Sequence, residues 1–101
     1  MNNYLISYDI SDNRLRLKAS KLLERKGCVR LQKSVFLAPN YHLKELQTLR
    51  HELAFALRLQ AGSEDSLLCV AIGKIDPKDM IWQGDNPVLQ EALKVIKALI
   101  V

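Results

Sequence analysis

The stretch LISYDISDNRLRLKASKLLERKGCVRLQKSVFLA, residues 5–38, contains in order the patterns of a strand, a helix and two further strands. Tyr4–Tyr8 is short, apolar and aromatic, which predicts a buried strand. From Arg14 to Lys26, apolar side chains recur on one face at helical spacing. Gly27 then stands where a residue with left-handed backbone ends many helices. These patterns predict a strand-helix-strand beginning to the fold.

The β-rich segment 28–38 is too long for one typical strand. We therefore expect two strands that meet at a tight bend near Gln32-Lys33, and we expect Pro39-Asn40 to end the second strand. Leucines at helical spacing then predict a second helix over residues 42–60, which Ala61-Gly62-Ser63 would stop. A continuously apolar strand is expected over residues 66–72, covered either on both faces or by a partner.

The resulting order, β-α-β-β-α-β, is the split βαβ arrangement of ferredoxin-like folds. This α+β class packs two helices on one face of a four-stranded antiparallel sheet. Beyond that core, Met80-Ile81-Trp82 predicts a short fifth strand. Asn86-Pro87 then predicts the start of a C-terminal helix, although the final KALIV could instead finish as an edge strand.

The length and composition indicate one domain over residues 1–101, with a core at 1–78 and an extension at 79–101. No apolar run approaches the length of a membrane helix, and the N-terminus lacks a signal-peptide pattern, so we expect no membrane association and a cytoplasmic location. Cys28 and Cys69 stand far apart within apolar runs, which favours two buried free thiols over a disulfide or a metal site.

Positive charge is concentrated in one segment of the chain. Residues 14–33 carry eight of the 15 basic side chains and one acid, Glu24. The eight are Arg14, Arg16, Lys18, Lys21, Arg25, Lys26, Arg30 and Lys33. Such clustering in a helix and the strand after it predicts a polyanionic partner.

Four of these cations, Arg14, Lys18, Lys21 and Arg25, form one stripe beside the apolar face of the predicted helix. Like charges four residues apart repel one another, and no acid on the stripe relieves this repulsion. An ordinary solvated helix face is the alternative, since most charged stripes are of that kind. Because an ordinary surface mixes both signs of charge, we expect the stripe to bind phosphates.

Asp9 directly follows the first strand, and two interpretations of it remain open. The residue could take part in the turn that precedes the helix, although Ser11 or Asp12 is better placed to cap it. Alternatively, Asp9 is a Mg²⁺ ligand. One carboxylate makes a poor Mg²⁺ site, but a two-fold dimer could supply a second copy of Asp9.

No competing catalytic constellation is found in the sequence. His42 and His51 lie on the second predicted helix without a nucleophile or acid partner, so surface or core-edge roles are expected for them. The sequence also contains no Gly-rich phosphate loop and no His/Cys cluster with metal-type spacing.

Together these motifs give the sequence a close resemblance to the CRISPR-associated protein two family, the small subunit of the machinery that captures new spacers. The resemblance rests on Tyr8-Asp9-Ile10 at the strand end, the arginine-bearing helix start, and the QKSVF run containing Gln32, Ser34, Val35 and Phe36. Glu64-Asp65-Ser66 before a strand extends the match.

The resemblance implies a ferredoxin-like homodimer whose strand-ending aspartates face each other across the two-fold axis, with the C-terminal extension in dimer contacts. It implies a Mg²⁺-dependent endonuclease on RNA or double-stranded DNA that also bridges integrase subunits. Asp9 would be the catalytic metal ligand, and Ser34 and Phe36 would line or support the cleft. The nucleic-acid-binding candidates are Arg14, Arg16, Lys18, Lys21, Arg25, Arg30 and Lys33.

Two features depart from the family pattern. The last core strand lacks the Arg and Tyr-Pro that similar proteins carry, and the Leu-rich tail looks more helical than their final strand. Two other functions remain as alternatives. One is a VapD-like toxin endoribonuclease of shared fold, and the other is a ferredoxin-like regulatory module for a small ligand. The second alternative gives no reason for the concentrated positive charge.

Overall fold

The computed structural model describes residues 2–59 and 63–99. The elements are β1 (Asn2–Asp9), α1 (Asn13–Arg25), β2 (Val29–Gln32), β3 (Val35–Tyr41), α2 (Leu43–Ala56), β4 (Ser66–Ala71), a 3₁₀ turn (Pro77–Asp79) and α3 (Pro87–Leu99). The four strands form one sheet in the order β2-β3-β1-β4, and every neighbouring pair is antiparallel. The predicted ferredoxin-like α+β fold is confirmed.

Local signals set the ends of α1. Asp12 Oδ1 accepts hydrogen bonds from the backbone N–H groups of Arg14 (2.8 Å) and Leu15 (3.1 Å), so Asp12 is the cap. After Arg25, the chain turns out of the helix at Gly27, whose φ of +83° lies in the left-handed region that glycine tolerates best. Both ends agree with the sequence prediction.

The sheet separates two apolar cores. On one face, α1 and α2 cover the buried side chains of β1 and β3, among which Ile6 and Phe36 are fully buried. On the other face, the inner side of α3 packs on Leu31 and Leu37 of β2 and β3. The C-terminal segment is therefore a helix through Leu99, as one of its two predictions stated, and it forms a third layer. The last two residues of KALIV lie outside the described residues.

Two predicted element ends were wrong. β3 continues through Pro39 to Tyr41, because a β-bulge accommodates the proline within the strand. The bulge is seen as a shift of register opposite Asn2–Tyr4 and as a φ of +54° at Asn40. The second helix, α2, ends at Ala56 rather than Gln60, because Leu57 is the C-cap and the backbone becomes left-handed at Arg58, whose φ is +53°. Gln60 and the predicted stop at Ala61-Gly62 lie outside the described residues.

The predicted fifth strand at Met80-Ile81-Trp82 was also wrong. Asp76 caps the 3₁₀ turn at Pro77–Asp79, and the chain then continues without strand pairing to α3. Met80 packs beside the second core while Ile81 is 99% exposed, so this segment is an irregular connection. Asn86 begins α3 as predicted, with its Oδ1 accepting from the N–H of Val88 at 3.0 Å.

Strand β4 is an edge strand that this chain covers on one face. Leu67 and Cys69 pack beside the core under α1 and α2. On the other face, Leu68 is 59% and Val70 is 44% exposed. The prediction that β4 would be covered on both faces does not hold within the chain, which leaves the alternative of a partner. In the described ranges, no helix has the length and apolar character to cross a membrane.

Candidate nucleic-acid interface

Helix α1 presents the predicted cationic stripe to solvent. The side chains of Arg14, Lys18, Lys21 and Arg25 are all exposed, because Leu15, Ala19, Leu22 and Leu23 turn the neighbouring, apolar side of the helix toward the core. Within residues 2–59 and 63–99, the ion pairs are Lys26–Glu52 and Lys94–Glu91, so the stripe has no acidic partner there. Glu24 is the one acid that lines the same surface as Lys18, Lys21 and Arg25, so this surface of the described chain keeps an excess of positive charge.

A second group of cations converges on a groove between α1 and the β2-β3 turn. The groove has a volume of about 200 Å³ and is lined by Tyr8, Asn13, Arg16, Leu17, Ser20, Arg30, Lys33 and Ser34. Arg16 lies on the opposite side of α1 from the stripe, which is why it joins this groove. The structure thus divides the predicted binding residues between the stripe on α1 and the groove beside the β2-β3 turn.

Arg30 is held in place at the wall of this groove. Its Nη2 donates to the carbonyl oxygen of Lys33 at 2.9 Å and its Nε to that of Gln32 at 3.4 Å. The guanidinium also lies 5.9 Å from the centroid of the Phe36 ring, within cation–π range. Arg30 therefore braces the β2-β3 turn, and its remaining donors are available to a ligand.

Phe36 supports the groove but does not line it. Its ring is fully buried and stacks on Tyr8 with centroids 6.3 Å apart. The Tyr8 hydroxyl donates to the carbonyl oxygen of Lys33 at 3.3 Å. Burial raises the pKa of Tyr8, and the positive charge of Arg30 offsets part of that increase. Ser34, the other predicted cleft residue, lines the groove directly.

Part of the groove escaped the sequence prediction. Asn13 and Ser20 were not candidates, yet they line it together with Arg16. The spacing of 13, 16 and 20 places these residues on one side of a helix, so helical periodicity applied to polar residues would have found them. The stripe was found because its members all carry charge.

Asp9 lies apart from this groove. It is the last residue of β1, is exposed, and pairs across the sheet with Ser66 of β4. Since alternate residues of β1 point to opposite faces, Asp9 follows Leu5 and Ser7 on the face away from α1 and α2. The carboxylate and the cations of the groove therefore belong to opposite sides of the sheet.

Two acids near the end of β1 are already engaged, whereas Glu64 is exposed and joins no ion pair of the described chain. Asp12 caps α1, and Asp65 Oδ1 accepts from the N–H and the hydroxyl of Ser11, both at 3.1 Å. Asp9 takes part in neither ion pair of the described chain, and no cluster of three or more potential metal ligands occurs in those ranges. Asp9 therefore makes no complete Mg²⁺ site by itself, and such a site needs further oxygens from a second chain, water or phosphate.

The fold and this surface define a small ferredoxin-like protein whose helix α1 carries cations that form no ion pair within residues 2–59 and 63–99, with an exposed carboxylate at the end of its first strand. A family model described as "CRISPR associated protein Cas2" matches residues 1–80. The chain belongs to this Cas2 family.

Two similar proteins extend the comparison. The chain is 33% identical over 93 residues to a protein of Aeropyrum pernix named "CRISPR-associated endoribonuclease Cas2", a match that covers 91% of this chain and 94% of that protein. The structure of the present chain is similar to the crystal structure of a hypothetical protein, TT1823, from Thermus thermophilus, with a TM-score of 0.64 and 28% identity. That match covers 85% of this chain and 94% of the other.

Proposed function

We propose that this protein binds nucleic acid as a homodimer and serves as the spacer-acquisition subunit that bridges integrase subunits. The observation that carries the proposal is the set of cations on α1 and around the β2-β3 turn, which have no acidic partners in the described chain. Membership of the Cas2 family supports the proposal and favours it over the toxin and small-ligand alternatives.

The physical basis of binding is the release of counterions from phosphates. Each lysine or arginine that neutralises a phosphate frees condensed counterions, which makes affinity fall steeply with salt. The exposed stripe follows one side of α1 and can contact successive phosphates of a strand. Contacts of this kind position a nucleic acid and carry no sequence information.

We further propose that the protein is a Mg²⁺-dependent endonuclease in which Asp9 holds the metal. A free carboxylate is a preferred Mg²⁺ ligand, and a second copy of Asp9 across a two-fold axis would complete the protein's share of the site. Bound Mg²⁺ would activate a water and stabilise charge on the scissile phosphate. The name of the Aeropyrum pernix relative favours RNA as a substrate, and double-stranded DNA is the second candidate.

The sheet face that carries Asp9 is suited to a second copy of the chain. Leu68 and Val70 leave apolar surface exposed on that face, and Leu5 beside them is only partly buried. The same face of the four strands carries no lysine or arginine, so two copies can approach with little like-charge repulsion. Apolar area of this kind is where soluble proteins associate.

The double variant Arg14→Glu/Lys18→Glu tests nucleic-acid binding. We expect weaker binding to duplex DNA and a salt dependence reduced by about two phosphate contacts, since each contact contributes a slope of about 0.9. Fluorescence anisotropy over a range of salt concentrations measures both quantities. Lys78→Glu/Lys97→Glu makes the same change in net charge at exposed positions near α3 and is the control.

Two results would contradict the proposal. If the α1 variant binds with unchanged affinity and salt slope, the stripe is an ordinary solvated surface. If the control loses as much affinity as the α1 variant, binding depends on net charge alone and not on the surface of α1.

A further inference from the structure

The C-terminal end of α2 has a backbone conformation that its sequence does not favour. The N–H of Leu59 donates to the carbonyl of Ala54 at 3.0 Å, and the N–H of Arg58 donates to that of Phe55 at 3.2 Å. These two bonds are the Schellman motif, whose left-handed position is normally a glycine. Here that position is Arg58, with a φ of +53°. An arginine in this conformation costs stability that a glycine would not, and such positions cluster at functional sites.

An exposed aromatic ring lies on the helix turn before this arginine. Phe55 is 88% exposed, whereas the tyrosines and Phe36 are buried and Trp82 is 43% exposed. Because Leu49, Leu53 and Leu57 turn toward the core, Phe55 projects from the outer side of α2. A phenylalanine so exposed contributes nothing to the core.

A cation lies next to this ring in the chain. Arg58 follows Phe55 by three residues and is exposed, as is the imidazole of His51 one helical turn before the ring. The acid nearest to Phe55 on the helix, Glu52, is paired with Lys26 at 3.3 Å. An exposed aromatic ring beside an arginine suits a nucleic-acid strand, since each base offers a flat face and each phosphate a negative charge.

The topology places this group beside the cationic stripe. Asp9 pairs with Ser66, so the end of β1 and the start of β4 lie at the same end of the sheet. α1 begins just after β1 and α2 ends just before β4, both on the same face. Phe55 and Arg58 therefore lie at the same end of the helical layer as Arg14, the first residue of the stripe.

We propose that Phe55 and Arg58 bind an unpaired nucleotide: the phenyl ring stacks on its base and the guanidinium holds an adjacent phosphate. The inference rests on the proposed nucleic-acid binding and adds a substrate feature to it, a strand with at least one unstacked base. Single-stranded RNA, single-stranded DNA and a frayed duplex end all present this chemistry, and a blunt, fully paired duplex presents it poorly.

Phe55→Ala tests the stacking contact. The probes are a single-stranded RNA, the DNA of the same sequence, and the matching blunt duplex. Loss of one base-stacking contact should weaken single-strand binding about 5- to 150-fold and leave duplex binding unchanged. Leu43→Ala, which removes a 60% exposed apolar side chain from the same helix, is the control and should bind all three as the wild type does. Comparison of the RNA and DNA probes identifies the preferred strand.

Arg58→Gly separates the binding role from the structural one. Glycine suits the left-handed conformation, so we expect this variant to have a higher Tm than the wild type and yet to bind the single strands more weakly. Its salt dependence should fall by about one phosphate contact. A merely structural Arg58 predicts the higher Tm with unchanged affinity, and that result would overturn the assignment.

The remaining outcomes also decide the matter. Unchanged single-strand binding by Phe55→Ala, while Arg14→Glu/Lys18→Glu binds weakly, overturns this inference and leaves the proposed function standing. If Phe55→Ala instead lowers self-association in sedimentation without changing nucleic-acid affinity, the ring is a protein contact and the inference is wrong. A wild-type protein without affinity for any probe overturns both proposals.

Discussion

At the scale of single residues, three aspartates that look alike in the sequence have different contacts in the structure. Asp9, Asp12 and Asp65 are all acids near the ends of β1 and β4. Asp12 satisfies N–H groups at the start of α1, and Asp65 anchors Ser11. Both carboxylates thus stabilise the turn between β1 and α1, as capping groups do. Asp9 has no such role in the described chain, which leaves it available to a metal.

Another residue-scale consequence concerns Cys28, which is buried with its Sγ 3.6 Å from the hydroxyl of Tyr41. That hydroxyl also donates to the carbonyl oxygen of Lys26. Burial raises the pKa of the Cys28 thiol, and the hydrogen bond to Tyr41 offsets part of the increase. Burial likewise raises the pKa of Tyr41.

These shifts predict a loss of stability at alkaline pH. As the pH rises above the ordinary thiol pKa of about 8.5, the unfolded chain loses its thiol protons first. The folded chain then holds more protons, so the free energy of unfolding falls with pH. Urea unfolding under reducing conditions should show this decrease between about pH 8 and about pH 10. Cys28→Ala should make the decrease of the unfolding free energy with pH shallower. An unchanged decrease in this variant would show that the Cys28 thiol does not contribute to it.

At the scale of elements, α3 is the addition that distinguishes this chain from a two-layer ferredoxin-like domain. Its inner side buries Leu89, Ala92, Leu93 and Ile96 on the sheet face opposite α1 and α2. It lies over the β2-β3 side and leaves Leu68 and Val70 of β4 uncovered. α3 thus divides this face into a part that the chain itself covers and a part that it leaves exposed.

The inner and outer sides of α3 should respond differently to truncation. Leu93 is 6% exposed, so Leu93→Ala should lower the free energy of unfolding by about 2 kcal/mol or more through lost burial and a cavity. Val95→Ala removes a side chain that is 44% exposed and should change the free energy of unfolding by less than about 0.5 kcal/mol. Urea denaturation measures both. Equal effects would mean that α3 does not rest on the sheet in solution.

At the scale of the whole molecule, the residues proposed for binding and the residue proposed for cleavage lie on opposite faces of the sheet. The cations of α1 and the groove lie on the helical side of the sheet, while Asp9 belongs to the face that carries Leu68 and Val70. In a dimer joined by that second face, the two Asp9 carboxylates approach each other and the two cationic surfaces point outward. Metal binding would then depend on assembly, whereas phosphate binding would not.

This separation predicts that dimerisation and cleavage fail together. Leu68→Lys should shift the protein to monomers in sedimentation, because the charge would be buried without a partner in the dimer. It should also abolish Mg²⁺-stimulated cleavage of RNA and duplex DNA. Asp9→Asn should abolish the same cleavage while keeping the dimer and most of the nucleic-acid affinity.

Leu43→Lys, which places the same charge at an exposed position of α2, is the matched control and should remain a dimer. Full cleavage by a rigorously purified Asp9→Asn protein would remove the catalytic assignment. A Leu68→Lys protein that stays dimeric would show that another surface joins the two chains.

The sequence by itself determined what depends on neighbours along the chain. Four features follow from spacings of a few residues: a helix cap at Ser11 or Asp12, the Gly27 stop, the apolar sides of the helices and the concentration of charge in residues 14–33. Local patterns failed where long-range packing overrode them. Pro39 stays in β3 because a bulge against β1 accommodates it, and the segment 80–82 has no strand to pair with.

Only the tertiary structure decided which of these residues act together. Arg16 joins Arg30 and Lys33 in a groove while Arg14 faces away, because the apolar side of α1 fixes the rotation of the helix on the sheet. Strand pairing likewise fixes the face on which Asp9 lies. Helix rotation and strand register are set by contacts between residues distant in sequence, whereas the sequence pattern within one element specifies only which side is apolar.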